Sequence, residues 1–187
     1  LSLITSRTDR YIESLASALF VADALRLFAE TDDLLFACFW SISGNWYFGA
    51  LDHSAEPRPA FYVLEGYDRL LRGRQLRTTI AAPTFASPGV GFPPARSGVP
   101  LIAAVATREG NVVRLAVINK HSSQRAEVAI ELPEGATVDT AQWRELNGPN
   151  VFGRGVSWAT RAAMALGRRV VIMPGAHSFS LLEIRLR

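Results

Sequence analysis

The sequence predicts α/β structure in residues 1–74 and an antiparallel β-sandwich in residues 75–187. The first part is read from Leu34-Leu35-Phe36-Ala37-Cys38-Phe39-Trp40, an unbroken apolar run between two amphipathic helical patterns. A run of that length suits a strand buried on both faces, as in a parallel sheet covered by helices. The second part is read from a change of texture at Arg74, beyond which Gly and Pro punctuate short alternating segments. A third observation joins them. A strand buried on both faces needs strand neighbours for its backbone groups, and residues 1–74 offer none. The chain therefore reads as the tail of a larger α/β protein.

Taken in order, residues 10–30 form the first helix. Tyr11, Leu15, Ala18, Ala22, Leu25 and Ala29 recur at spacings of three or four, and Thr8 or Asp9 is placed to cap the start. Thr31-Asp32-Asp33 turns the chain into the apolar strand, and Ser41 to Gly49 forms a loop rich in aromatics, amides and glycines. Pro57-Arg58-Pro59 opens a second helix, with Phe61, Leu64, Tyr67 and Leu71 on its apolar face and Gly73 closing it. Residues 81–100 hold five of the ten prolines and read as a long ordered loop or linker. Residues 101–107 and 112–119 form a hairpin around Glu109-Gly110-Asn111. Further strands are expected over 126–132, 137–146, 169–173 and 178–186, and residues 157–166 read as ambiguous, with room for a short helical turn.

Composition narrows the function classes. Hydrophobic residues make up 49% of the 187, enough for a substantial core. No apolar run approaches the roughly 18 residues that suggest a membrane span, so a membrane partner is not expected. The single Cys38 excludes an intramolecular disulfide and a multi-cysteine metal site; set in the apolar run, it reads as inert core. Residues 1–74 carry a net charge of −3 and residues 75–187 one of +6, but the basic residues are scattered singly. Nucleic-acid binding wants a concentrated basic stripe with stacking aromatics, so that partner class is set aside. The composition leans towards a cytoplasmic protein.

Several stretches together resemble the C-terminal end of a clan A glycoside hydrolase, in particular the family 51 α-L-arabinofuranosidases. They are Ser17-Ala18-Leu19-Phe20-Val21-Ala22-Asp23-Ala24-Leu25, the strand ending in Trp40, and Arg58-Pro59-Ala60-Phe61-Tyr62-Val63-Leu64 running on to Gly73. Leu115-Ala116-Val117-Ile118-Asn119-Lys120 and Pro174-Gly175-Ala176-His177-Ser178-Phe179-Ser180-Leu181-Leu182 extend it into the second part. The resemblance implies that residues 1–74 are the seventh helix, eighth strand and eighth helix of an incomplete (β/α)8 barrel, followed by the sandwich. Active sites of such barrels lie at the C-terminal ends of the strands. It also implies retaining hydrolysis of plant-type polysaccharides or oligosaccharides by two glutamates, both upstream of Leu1. Neither Glu13 nor Glu30 matches the nucleophile. The expected chain thus holds no catalytic residue, metal or cofactor of its own. Its expected partners are a carbohydrate and either the missing N-terminal barrel portion or a second copy.

The residues expected to meet substrate are Trp40, Asn45, Trp46 and Tyr47. Flat aromatic rings stack on the apolar faces of sugars, and an amide hydrogen-bonds hydroxyls. The same aromatics also suit packing at a barrel rim, and Gly44-Asn45 is an ordinary turn pair. His53, with Asp52 and Glu56, reads as a solvated loop rather than a metal or acid–base cluster. His121 and His177 show no catalytic partner, and Ser178 lacks a nucleophile-elbow context. Two other readings remain: a non-catalytic carbohydrate-binding sandwich with Trp143 or Trp158 as an exposed stacking residue, and a structural or assembly module.

Overall fold

Apolar side chains at helical spacing build helix α1 (Leu15–Ala29) and helix α2 (Pro59–Leu70) in the structure, a computed structural model that describes residues 11–39, 41–43, 49–70, 72–89 and 93–187. Helix α1 starts later than its periodicity suggests. Its N-cap is Ser14, whose hydroxyl accepts from the Ser17 amide at 3.4 Å, whereas Thr8 and Asp9 lie outside the described residues. The next two free amides, of Leu15 and Ala16, donate to the carbonyls of Gly153 and Val151 at 3.2 and 2.8 Å. A loop of the second half of the chain thus satisfies donors that a helix start leaves open. Among the described residues, no helix is long and apolar enough to cross a membrane.

Among the described residues eleven strands follow: β1 (Arg74–Leu76), β2 (Thr84–Ser87), β3 (Arg96–Pro100), β4 (Ile102–Glu109), β5 (Val112–Asn119), β6 (Val128–Glu131), β7 (Val138–Asn147), β8 (Ser157–Ala162), β9 (Met164–Leu166), β10 (Arg169–Ile172) and β11 (Ser178–Leu186). A six-stranded sheet runs β1-β4-β5-β11-β7-β8, a three-stranded sheet β6-β10-β9, and β2 pairs with β3 alone. Every ladder between these strands is antiparallel. The protein is a mixed α/β fold with a β-sandwich, as the sequence predicts in outline.

Alternation along the strands gives the large sheet two apolar faces. One packs on the helices through Ala103, Val105, Ala116, Ile118, Leu146 and Phe179, which meet Leu15, Ala18, Ala22, Val63, Tyr67 and Leu70. The other packs on the small sheet: Val113, Leu115, Val117, Trp143, Leu182 and Ile184 meet Leu132, Val170 and Ile172. The order is therefore helices, large sheet, small sheet. At the first junction the Tyr67 ring stacks on Phe179, 5.6 Å between centroids and 12° between planes, and its hydroxyl donates to the Ala22 carbonyl at 2.8 Å. Burial raises the Tyr67 pKa well above the usual phenol value, so the ring stays a neutral donor. Helix α2 comes close to the sheet at Gly66, where a Cβ would lie 3.0 Å from both Leu181 and Phe179. Gly73 turns the chain into β1 with φ 90°, and a side chain there would collide with the Arg108 carbonyl oxygen.

Three expectations are corrected. Residues 81–100 are not a plain loop but carry the β2–β3 pair. Residues 157–166 contain no helical turn; β8 pairs with β7 and β9 with β10. Residues 34–39 form no strand within this chain: no described residue hydrogen-bonds to them as a strand neighbour, residues 34–38 are exposed, and only Phe39 packs against the core of the helices and large sheet. Leu35 is 93% and Phe36 78% exposed. Cys38, read from sequence as core, is exposed for the same reason.

Candidate functional site: the rim after the apolar segment

The chain leaves the bare apolar segment through residues 41–43 and returns through residues 49–58 to helix α2. The two legs run side by side: Ser41 and Gly49 form an isolated parallel bridge, with the Ala50 amide donating to the Ser41 carbonyl at 3.1 Å. The Leu51 amide continues the pairing onto the Ile42 carbonyl at 2.8 Å. Trp40, Asn45, Trp46 and Tyr47, the four residues expected to meet substrate, lie outside the described residues. What the structure describes is the base on which that loop stands.

Two side chains hold the base. Arg58 is 5% exposed; its Nη1 donates to the Gly49 carbonyl at 2.9 Å and its own amide to the Ala50 carbonyl at 2.9 Å. The guanidinium therefore fastens the returning leg to the start of α2. Sequence reasoning missed this role; the available signal was a lone charge between Pro57 and Pro59, directly before an apolar helix face. Asp52 organises the outer turn, its Oδ1 accepting from the amides of Glu56 at 3.0 Å and Ser54 at 2.8 Å. Those backbone hydrogen bonds, Glu56's foremost, hold the Asp52 carboxyl below the usual carboxylate range. Ala55 follows with φ 62°, closing the turn.

The carboxylate is thus consumed by its own turn, while His53 and Glu56 stand exposed beside it. Among the described residues, no group of three His, Cys, Asp or Glu is placed to hold a metal ion. Four other carboxylates near the helices are likewise engaged. Glu13 pairs with Arg154, Glu30 with Arg26, Glu65 with Arg69, and Asp23 with both Arg26 and Lys120. They serve the fold.

The sandwich offers no open aromatic strip at the positions expected for one. Trp143 is 4% exposed between the two sheets, its Nε1 donating to the Ala162 carbonyl at 2.7 Å. The Trp158 ring is covered on one side by the Arg144 guanidinium, 4.2 Å from its centroid, and lies against Phe179. Both tryptophans are packing residues, which corrects the expectation of an exposed stacking residue there. His121 caps its own loop, with Nδ1 accepting from the amides of Ser123 and Gln124 at 3.1 and 3.0 Å.

No protein-family model matches the chain, and no curated protein does. Solved structures do. The family 51 arabinofuranosidase from Xanthomonas axonopodis pv. citri superposes with a TM-score of 0.78 at 18% identity, over 92% of this chain and 36% of that one. The thermostable family 51 α-L-arabinofuranosidase from Thermotoga petrophila RKU-1 gives a TM-score of 0.78 at 18% identity, over 98% of this chain and 41% of that one. The family 30 subfamily 8 xylanase Xyn30A from Clostridium acetobutylicum gives 0.68 at 14% identity, over 92% and 40%. The likeness to family 51 is therefore present in the fold, as the sequence resemblance implies. The chain spans about two fifths of the length of these structures.

Proposed function

We propose that this chain is the C-terminal part of a retaining glycoside hydrolase of the α-L-arabinofuranosidase kind, acting on plant-type polysaccharides or oligosaccharides. In this reading residues 1–74 are the last helix, strand and helix of a (β/α)8 barrel, and residues 75–187 are the sandwich that buttresses it. The observation that carries the reading is the bare segment 34–38. It is as apolar as a core strand, it follows a helix and leads through a loop to another, and it is left uncovered. Both helices turn their other sides to the large sheet and bury them there. Such a segment is what a parallel sheet leaves behind when its neighbouring strands belong to another stretch of chain.

On that reading Trp40 ends the eighth barrel strand and, with Asn45, Trp46 and Tyr47, forms the sugar-facing wall above the base held by Arg58 and Asp52. The chemistry itself belongs to two glutamates outside this chain, about 5 Å apart across the glycosidic bond, one as nucleophile and one as acid–base. Engagement of Glu13, Asp23, Glu30, Asp52 and Glu65 in ion pairs or turns supports placing that pair elsewhere. The test is expression from the complete native reading frame, followed by assay on aryl α-L-arabinofuranosides and aryl β-xylosides. Cleavage of one with retention at the anomeric carbon is expected. A native product of this length, inactive on both, would return the chain to the binding or assembly readings.

A further inference from the structure

Where the C-terminal turns of α2 leave the large sheet, a cleft of about 260 Å³ opens between them. The register explains its chemistry. Under the helices the sheet presents the row Ala103, Ile118, Phe179, Leu146, Trp158. Two residues further along each strand comes Val105, Ala116, Leu181, Arg144, Thr160, and beyond it Thr107, Arg114, Glu183, Gln142, Ala162. The face thus passes from apolar to polar within two rows. The cleft lies over the transition, lined by Arg114, Gln142, Arg144, Thr160 and Glu183 from the sheet and by Arg69 from the helix.

Three guanidiniums face one carboxylate there, and two of the three are already matched. Arg114 pairs with Glu109 at 3.0 Å and Glu183 at 3.3 Å, and Arg69 pairs with Glu65 at 2.9 Å. Arg144 differs. It meets no acidic side chain within ion-pair distance among the described residues; its plane rests on Trp158, and its buried Nη2 has no hydrogen-bond acceptor. A cation left in this condition is costly unless an acceptor arrives. Burial, and after it the neighbouring Arg69, push its pKa below the usual guanidinium range, with the attraction of Glu65 only partly opposing them.

We propose that this cleft binds the oxyanion of a small ligand, a carboxylate or a phosphate, with Arg144 as the anchoring cation and Gln142 and Thr160 as neutral hydrogen-bond donors beside it. The ring beneath Arg144 fixes the guanidinium plane, which suits two-point recognition of an oxyanion. Glu183, held by Arg114 at 3.3 Å, sets the far wall. The site shares no residue with the rim, so its failure leaves the hydrolase reading standing, and the reverse also holds.

The experiment is titration of the isotope-labelled 187-residue protein with sodium malonate, sodium phosphate and sodium chloride at matched ionic strength. The readouts are the Arg144 Nε–H and Gln142 side-chain amide resonances. Saturable shifts with malonate or phosphate are expected, at least tenfold weaker in Arg144→Gln; whichever probe saturates identifies the source of the oxyanion. Thr160→Val keeps every charge and the ring contact, and is expected to weaken binding several-fold should Arg144→Gln fold poorly. Shifts that chloride reproduces, or that neither substitution changes, overturn the site.

Discussion

Two apolar stretches of similar length meet opposite fates in this molecule. Strand β5, Val-Val-Arg-Leu-Ala-Val-Ile-Asn, pairs with β4 on one side and β11 on the other, and most of it is buried. Residues 34–39, Leu-Leu-Phe-Ala-Cys-Phe, are at least as apolar, yet all but Phe39 stand exposed, with no described strand beside them. Composition alone does not separate the two. An apolar run says that a segment needs burial and does not say which chain supplies the cover. Strand β5 finds its neighbours within about seventy residues of sequence. The other segment has helices on both sides in sequence, and both are committed to the sheet through their opposite faces.

On that account, the junction between helices and sheet should be the most sensitive part of the chain. Phe179 is fully buried, stacked on Tyr67 and lying against Trp158. Replacing it by Ala should cost about 3–5 kcal/mol, the range for removing a buried aromatic and leaving a cavity. Chemical denaturation followed by both tryptophan fluorescence and helical circular dichroism would measure it. A loss below about 1 kcal/mol would mean that the helices do not depend on the sheet, and the contrast with residues 34–39 would lose its basis.

The same contrast shows what was legible in the sequence. The β4–β5 hairpin could be read because its alternation and the Glu109-Gly110-Asn111 turn agree, and Gly110 does adopt φ 59°. The need of residues 34–40 for strands from elsewhere was legible as well, and only Cys38, read as inert core, was misplaced. Residues 157–166 hid their strands because Ala159, Ala162, Ala163 and Ala165 carry no strand preference; pairing with β7 and β10 decides their conformation. Prolines disguised β2 and β3, whose two-stranded ladder leaves each strand one free edge where a missing donor costs little. At the rim, the four residues singled out lie outside the described ones, whereas Arg58 was read only as part of the helix opening and of the family resemblance, because its role depends on where the returning leg comes to lie.

A smaller effect should come from the polar tie between α1 and the end of β5. Asp23 accepts from Lys120 at 2.6 Å and from Arg26 at 2.8 Å. Burial alone would raise its pKa, but the hydrogen bonds from Lys120 and Arg26 outweigh this and lower it. A carboxyl lowered on folding stabilises above its unfolded value, near pH 4, and loses that contribution as the pH falls through the folded value. Asp23→Asn should therefore cost about 1 kcal/mol at neutral pH, allowing for partial exposure. The gap between variant and parent should close in acid. Denaturation midpoints at pH 7 and pH 3 would measure it, and a gap that persists in acid would place the effect in packing rather than charge.

The smallest effect on stability is expected where the apolar character is highest. Leu35 and Phe36 touch little in this chain, so changing both to Ser should alter the denaturation midpoint by no more than about 0.5 kcal/mol, as at ordinary surface positions. Association is another matter. Burying a large apolar side chain is worth about 1.5–3 kcal/mol, so two such groups in a contact should shift a self-association constant by well over tenfold. The double variant is thus expected to remain monomeric at concentrations where the parent self-associates, with unchanged stability, by sedimentation velocity beside denaturation. A large loss of stability would mean that residues 34–39 are covered by their own chain after all. Unchanged stability with lost association would identify the segment as an unfilled strand position, the feature that separates it from β5.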